Sequence, residues 1–179
     1  MSSPETSDVL FRYAGLRAYH LEALQDPSRA SPSVRRALRE GGLIDGSGQL
    51  TPVGAFALQR GLAIVEGRFV PPAPILDIRY SPGMGRRLGM SGVEAKLLIF
   101  LAREPETCLR FLRLHFGNES LNRLRDLGLI QIPEGFPWEA WSTPVRPTET
   151  GVERLREAME SHRTVSGGSH EPILDRSHA

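Results

Sequence analysis

The chain uses one phrase twice. Val34-Arg35-Arg36-Ala37-Leu38-Arg39-Glu40-Gly41-Gly42-Leu43-Ile44 is followed by Leu50-Thr51-Pro52-Val53-Gly54. Leu121-Asn122-Arg123-Leu124-Arg125-Asp126-Leu127-Gly128-Leu129-Ile130 is followed by Pro147-Thr148-Glu149-Thr150-Gly151. In each copy a short amphipathic helix runs into glycine, which stops a helix by adopting left-handed backbone. A Leu-Ile strand and a turn come next, and Thr opens a new helix as its N-cap. Internal repetition constrains the fold more than any local motif, because both copies must satisfy the same packing.

A length of 179 residues accommodates two such units, each of about 80 residues. Units that small are marginal alone, so packing between the copies or a homodimer is expected. The apolar share of 40% and charged share of 24% are those of an ordinary soluble globular protein. Formal charge is only +1, so any nucleic-acid contact must rest on local patches rather than a basic surface. Every basic residue except Lys96 is Arg. Arg suits bidentate phosphate contacts, and GC-rich codon usage gives the same bias.

Several classes of function find no support. Cys108 is alone, which excludes an intramolecular disulfide and a Cys-based zinc site. Its neighbours Leu109, Phe111 and Leu112 predict a buried thiol. The five histidines show no ligand spacing, so no metal and no cofactor is expected. No nucleophile elbow or paired acids in an apolar setting occur, and the chain is read as not an enzyme. Glu104 and Glu106 flank Pro105 as acids expected to support a helix start. The N-terminus has no secretory pattern, and the best apolar run, Leu97–Ala102, is too short to cross a bilayer. A cytoplasmic protein without a membrane partner is expected.

The expected organisation is a disordered start at 1–6, copy one at 7–66, a Pro/Gly-rich junction at 67–90, copy two at 91–162 and a disordered tail at 163–179. In copy one, periodicity predicts a helix over Ser7–Leu24 capped by Ser7 or Asp8, with Leu10, Tyr13, Ala18, Leu21 and Leu24 inward. Ser31-Pro32 starts the next helix, Asp45–Gly48 turns a hairpin, and Thr51-Pro52 opens a helix to about Leu62. The junction carries a plausible strand over Ile75–Tyr80 and a loop over Ser81–Gly85. Copy two opens on the capping box Ser91-Gly92-Val93-Glu94. Helices are expected over Gly92–Arg103, Pro105–His115 and Glu119–Leu127, then a strand over Leu129–Ile132, a long loop Pro133–Val145 and a Thr148-capped helix to about Ser161.

This order resembles the winged helix-turn-helix superfamily of bacterial regulators, closest to the MarR, PadR and ArsR types. The resemblance covers about Glu94–Met159 and, less fully, Leu10–Leu62. It implies a mainly α fold with small β-hairpin wings (α+β) built as two tandem winged-helix domains, copy one being abbreviated to Asp26–Ala30 where a full helix should stand. It also implies a partner, double-stranded DNA, and a role as transcriptional regulator or architectural factor.

Under that resemblance, the third helix of copy two would enter the major groove with Asn118, Ser120, Asn122, Arg123 and Arg125 outward, while Leu121, Leu124 and Leu127 face the core. Asn and Arg have bidentate matches to adenine and guanine. The copy-one equivalents are Ser33, Arg35, Arg36 and Arg39, and Gly83–Gly89 reads as a basic loop in which Arg86 and Arg87, with Arg79, touch the DNA backbone. The copy-two wing sets Phe136, Trp138 and Trp141 among prolines and acids, unlike a wing that offers Arg to phosphate. Two readings stay open: the aromatics anchor a protein partner or self-association, making the chain a tandem winged-helix adaptor, or they fold back over a small core.

Overall fold

Both copies of the phrase fold through the same hydrogen bonds. The computed structural model describes residues 4–166, with side chains to residue 161. In copy one, α3 (Pro32–Glu40) ends and Gly42 turns left-handed at φ 71°. Leu43 N–H then donates back to Leu38 O at 2.9 Å, and Thr51 N–H returns to Leu43 O at 3.0 Å. The Thr51 hydroxyl donates to Gly42 O at 2.6 Å and accepts from Gly54 N–H at 3.0 Å, starting α4 (Pro52–Val65). In copy two, α8 (Asn118–Asp126) gives way to Gly128 at φ 67°. Leu129 N–H donates to Leu124 O at 2.9 Å, and Thr148 N–H donates to Leu129 O at 2.9 Å. The Thr148 hydroxyl donates to Gly128 O at 2.6 Å and accepts from Gly151 N–H at 3.1 Å, starting α9 (Glu149–Ser166).

These bonds explain the residue types. A hydroxyl donates to one backbone group and accepts from another through a single oxygen, a role that Thr fills in both copies. Three residues on, the new helix passes so close to the strand that a Cβ at Gly54 would overlap Leu43 O, and one at Gly151 would overlap Leu129 O.

The repetition extends further upstream than the phrase. The predicted helix over Ser7–Leu24 is two helices, α1 (Pro4–Ala14) and α2 (Ala18–Gln25), divided at Gly15 with φ 69°. Helix α1 begins inside the segment expected to be disordered, and Ala18 is exposed. Copy one is therefore not abbreviated. Its α1, α2 and α3 have 11, 8 and 9 residues, and copy two's α6 (Gly92–Arg103), α7 (Leu109–Phe116) and α8 have 12, 8 and 9. Asp26–Ala30, taken as a stunted helix, is the 3-10 turn Pro27–Arg29 between α2 and α3.

Other boundaries also move. No helix starts at Pro105: Glu106 sits at φ 66°, β1 (Thr107–Cys108) follows, and α7 begins at Leu109. With β2 (Ile130–Gln131) and β3 (Pro144–Pro147), β1 forms an antiparallel sheet ordered β1-β3-β2, pairing Thr107 with Val145 and Ile130 with Pro147. The copy-one hairpin is reduced to one bridge, Ile44 to Leu50. Ile75–Tyr80 forms no strand; the Ile75 and Leu76 N–H groups both converge on Ala102 O, so the segment is a strap across the end of α6. Within the expected loop at 81–85, α5 (Met84–Leu88) begins, and α9 continues past the predicted tail boundary to Ser166. The rest of the tail lies outside the described residues.

Two apolar cores result. Leu10, Leu24, Leu38, Leu43 and Ala57 centre one, and Leu98, Leu101, Leu112, Leu124 and Leu155 the other. The junction packs on both, with Phe69 against the first and Ile78, Met84 and Leu88 within the second. The copies interlock: Ala140, from the copy-two loop, lies in the copy-one core. Glu106 accepts ion pairs from Arg60 of α4 at 2.8 Å and from Arg146 of β3. Glu104 receives the Tyr13 hydroxyl and Arg12 of α1. The acids flanking Pro105 thus fasten the copies together instead of serving a helix dipole. Among the described residues, no helix is long and apolar enough to cross a membrane.

Candidate nucleic-acid interface

The two equivalent helices, α3 and α8, present surfaces of different electrostatic character. On α3 a single buried residue, Leu38, seats the helix, and Ser33, Arg35, Arg36 and Arg39 are exposed. The Ser31 hydroxyl caps the helix by accepting from Val34 N–H at 3.3 Å and also contacts the Ser33 hydroxyl. Arg39 makes long contacts to the Asp45 and Gly46 carbonyls, at 3.4 and 3.5 Å. Arg35 and Arg36 form no ion pair among the described residues. Asp45, the exposed acid of the adjoining turn, is engaged by that turn: it accepts from Ser47 Oγ, Ser47 N and Gln49 N at 2.6, 2.8 and 3.0 Å. Those bonds, Ser47's hydroxyl first, hold its carboxyl below the usual carboxylate range.

On α8, Leu121 and Leu124 are buried as expected, but Leu127 is 43% exposed because it is the helix's C-cap, already turning toward Gly128. Asn118, Asn122, Arg123 and Arg125 are exposed and Ser120 is half-buried. Three of these side chains already have partners. Arg123 Nε meets Glu94 at 3.0 Å, and Glu94 is buried because it also closes the capping box by accepting from Ser91 N–H at 2.8 Å. Arg125 pairs with Asp126 at 2.9 Å and lies over the Trp138 ring at 4.8 Å. Asn122 Oδ1 accepts from Trp138 Nε1 at 3.0 Å.

The aromatic loop of copy two folds back onto the chain. Phe136 packs edge-on against Phe56 of α4, with centroids 5.1 Å apart. Trp138 covers the α8 face just described, while Arg113 of α7 donates to Trp138 O at 2.7 Å and Glu139 O at 3.0 Å. Trp141 N–H donates to Gly41 O at 3.0 Å, and its ring lies flat against Gly41, where a Cβ would stand 2.7 Å from Cε2. Arg110 stacks on that ring at 3.5 Å and donates to Gly15 O at 2.8 Å. His20 completes the seat, 5.5 Å from the Trp141 ring and only 2% exposed. Burial, then the positive charges of Arg110 and Arg17, lower its pKa to about 4, so it is neutral. Cys108 is fully buried, with its thiol pushed up to about 11 by that burial. Phe136, Trp138 and Trp141 thus pack, half-buried, against copy one and α8.

Arg86 and Arg87 are exposed on α5, which packs against α6 and α9 rather than beside α3. They share a recess with Arg154 of α9. Sequence reasoning passed over Arg154, although Arg154, Glu157, Ala158 and Ser161 recur at the spacing of one helix face. It also passed over His20 and Arg110, whose roles depend on contacts between the copies. Comparison with known protein families, curated proteins and solved structures finds no match to this chain.

Proposed function

We propose that this chain is a non-enzymatic, cytoplasmic DNA-binding protein built of two winged-helix-like units, acting as a transcriptional regulator or architectural factor. Helix α3 of copy one is its leading contact with double-stranded DNA. One observation carries this reading: α3 presents Arg35 and Arg36 to solvent with no acidic partner among the described residues, beside Ser33, on a chain of nearly balanced charge. Such guanidiniums are free to meet phosphate or the guanine edge without first breaking an ion pair. Helix α8 supports the reading less, because Arg123 and Arg125 are engaged by Glu94 and Asp126. The repeated order of helices and the glycine-strand-threonine connection support the winged-helix assignment. The adaptor reading has less support, since the aromatic loop packs half-buried within the chain.

Fluorescence anisotropy of a labelled duplex, titrated across salt, tests the proposal. Affinity should fall steeply as salt rises, because phosphate contacts release counterions. Arg35→Ala with Arg36→Ala should lower affinity about tenfold or more, with melting unchanged. Asn118→Ala, on the uncommitted end of α8, should have a smaller effect. Arg123→Ala is a poor probe, since it strips buried Glu94 of its counter-ion. Absence of duplex binding at low salt overturns the proposal.

A further inference from the structure

We infer that the recess between α5 and α9 is a second contact with the phosphate backbone of DNA, made by Arg86, Arg87 and Arg154. The inference rests on the DNA-binding reading and extends it from copy one to copy two. The recess is an open hollow of about 540 Å³ lined by three arginines and, among the described residues, a single acid, Glu157. Like charges gathered this way repel, and an anion seated among them relieves the repulsion. Arg86 and Arg154 form no ion pair among the described residues, and Arg87 is steadied by a neutral group, donating to Ser81 Oγ at 2.8 Å.

The scaffold beneath them is rigid. Helix α5 has only five residues, yet left-handed glycines stop it at both ends, Gly83 at φ 81° and Gly89 at φ 67°. Met84, Gly85 and Leu88 bury its inner face. A Cβ at Gly85 would come within 2.8 Å of Met90 O, so the stub sits directly on the backbone that starts α6. Arginines on a fixed stub lose less freedom on binding than arginines on a loose loop. Guanidinium forks match phosphate oxygens in pairs. A polyanion that reaches α3 on one copy and α5–α9 on the other would use both basic clusters, which a free phosphate cannot.

The full chain and three variants, Arg86→Ala with Arg87→Ala, Arg154→Ala, and all three together, are titrated with duplex across salt. The triple variant should bind about tenfold or more weakly at low salt, and its slope of log affinity against log salt should be shallower by about 2–3, near 0.9 per phosphate lost. Preference among duplex sequences should not change, since backbone contacts position without specifying, and neither should melting temperature. If the wild type binds duplex and the triple variant keeps its slope and affinity, the inference falls and the DNA reading stands. If the triple variant changes sequence preference, the backbone assignment falls. Inorganic phosphate binding that disappears in the triple variant while duplex affinity is untouched reassigns the recess to a free anion and overturns the inference. If the wild type binds no duplex, both fall.

Discussion

Replacing Gly54 or Gly151 by Ala sets two physical effects against each other. Both glycines lie in the first turn of a helix, α4 and α9. In a helix interior, Gly→Ala gains about 1 kcal/mol of intrinsic propensity. Here the added methyl would overlap a backbone carbonyl, of Leu43 in one case and Leu129 in the other. At Gly54 it would also lie 2.8 Å from the Leu43 carbonyl carbon, inside the 3.0 Å that Cβ atoms essentially never breach. A backbone group cannot rotate aside like a side-chain end, so the helix must back away by on the order of 1 Å. That motion strains the Thr51 N–H to Leu43 O bond, the Thr51 hydroxyl to Gly42 O bond and the Gly54 N–H to Thr51 bond, which span 2.6–3.0 Å. At about 1 kcal/mol for each bond, their loss outweighs the propensity gain of about 1 kcal/mol, for a net destabilisation of about 2 kcal/mol. For a chain of 179 residues that is a fall in Tm of about 4–8 °C, measured by thermal circular dichroism. Gly151→Ala should follow in the same direction with a smaller shift, because its methyl lies 3.2 Å from the Leu129 carbon. Gly61→Ala is the control: its nearest obstacle is the movable Leu21 Cδ1 at 2.7 Å, so its shift should be smaller still. A Tm at or above wild type for Gly54→Ala would refute the close-approach reasoning and show that helix propensity outweighs the clash.

Two further predictions concern the seat between the copies. Because the folded His20 pKa is about 4 against 6.5 for a free His, the unfolded chain binds the extra proton first. Stability is therefore full above about pH 6.5 and should fall by about 3 kcal/mol as pH drops through 4. Asp26 and Asp45, held low by hydrogen bonds from Ser28 and Ser47, titrate below that window. Urea unfolding across pH 4–7 measures the slope, and His20→Gln should flatten it; an unchanged slope sinks the assignment. Trp141→Ala removes the ring that Gly41, Arg110 and His20 surround, and should cost about 2–4 kcal/mol. Proteolysis should then open the 133–143 loop faster than in wild type, and an equally resistant loop would count against its docked role.

What was legible in the sequence was whatever local bonding dictates. Thr51 and Thr148 could be read as caps because a threonine before a helix has few other uses, and the cap bonds are present in both copies. The break at Gly15 was hidden because Leu10, Tyr13, Leu21 and Leu24 keep helical spacing across it. Its cause lies far along the chain: a Cβ at Gly15 would stand 3.0 Å from Trp141 O and 3.2 Å from Cys108 Sγ. Periodicity records which face is buried and says nothing of a backbone neighbour that requires a glycine. The aromatic loop was ambiguous for the same reason. Whether Trp138 and Trp141 face solvent depends on Asn122, Gly41 and Arg110, none of which is adjacent in sequence. Reading charges residue by residue also treated Arg123 and Arg36 alike, although only Arg123 has a buried acid across from it.

Beyond the Arg123–Glu94 pair, the outward faces of α3 and α8 also differ through the copy-two loop, which docks on both copies. The copy-two loop could not both contact a ligand and hold the copies together, since Ala140 and Trp141 are spent in the copy-one seat. Placing Trp141 against Gly41 supports α3 from behind at its C-terminal end. Trp138, three residues earlier in the same loop, is drawn onto the outer face of α8, where it donates to Asn122 Oδ1 and lies against Arg125. One short loop thus makes α3 a braced helix with a clear face and α8 a helix whose face is partly covered. This loop contact adds to the ion pairs of Arg123 and Arg125 in setting the two helices apart. Freeing α8 requires breaking the Trp138–Asn122 bond, and that bond is carried by the same loop that holds α3 in place. The outward face of α8 is therefore coupled, through the loop, to the seat that braces α3 in copy one.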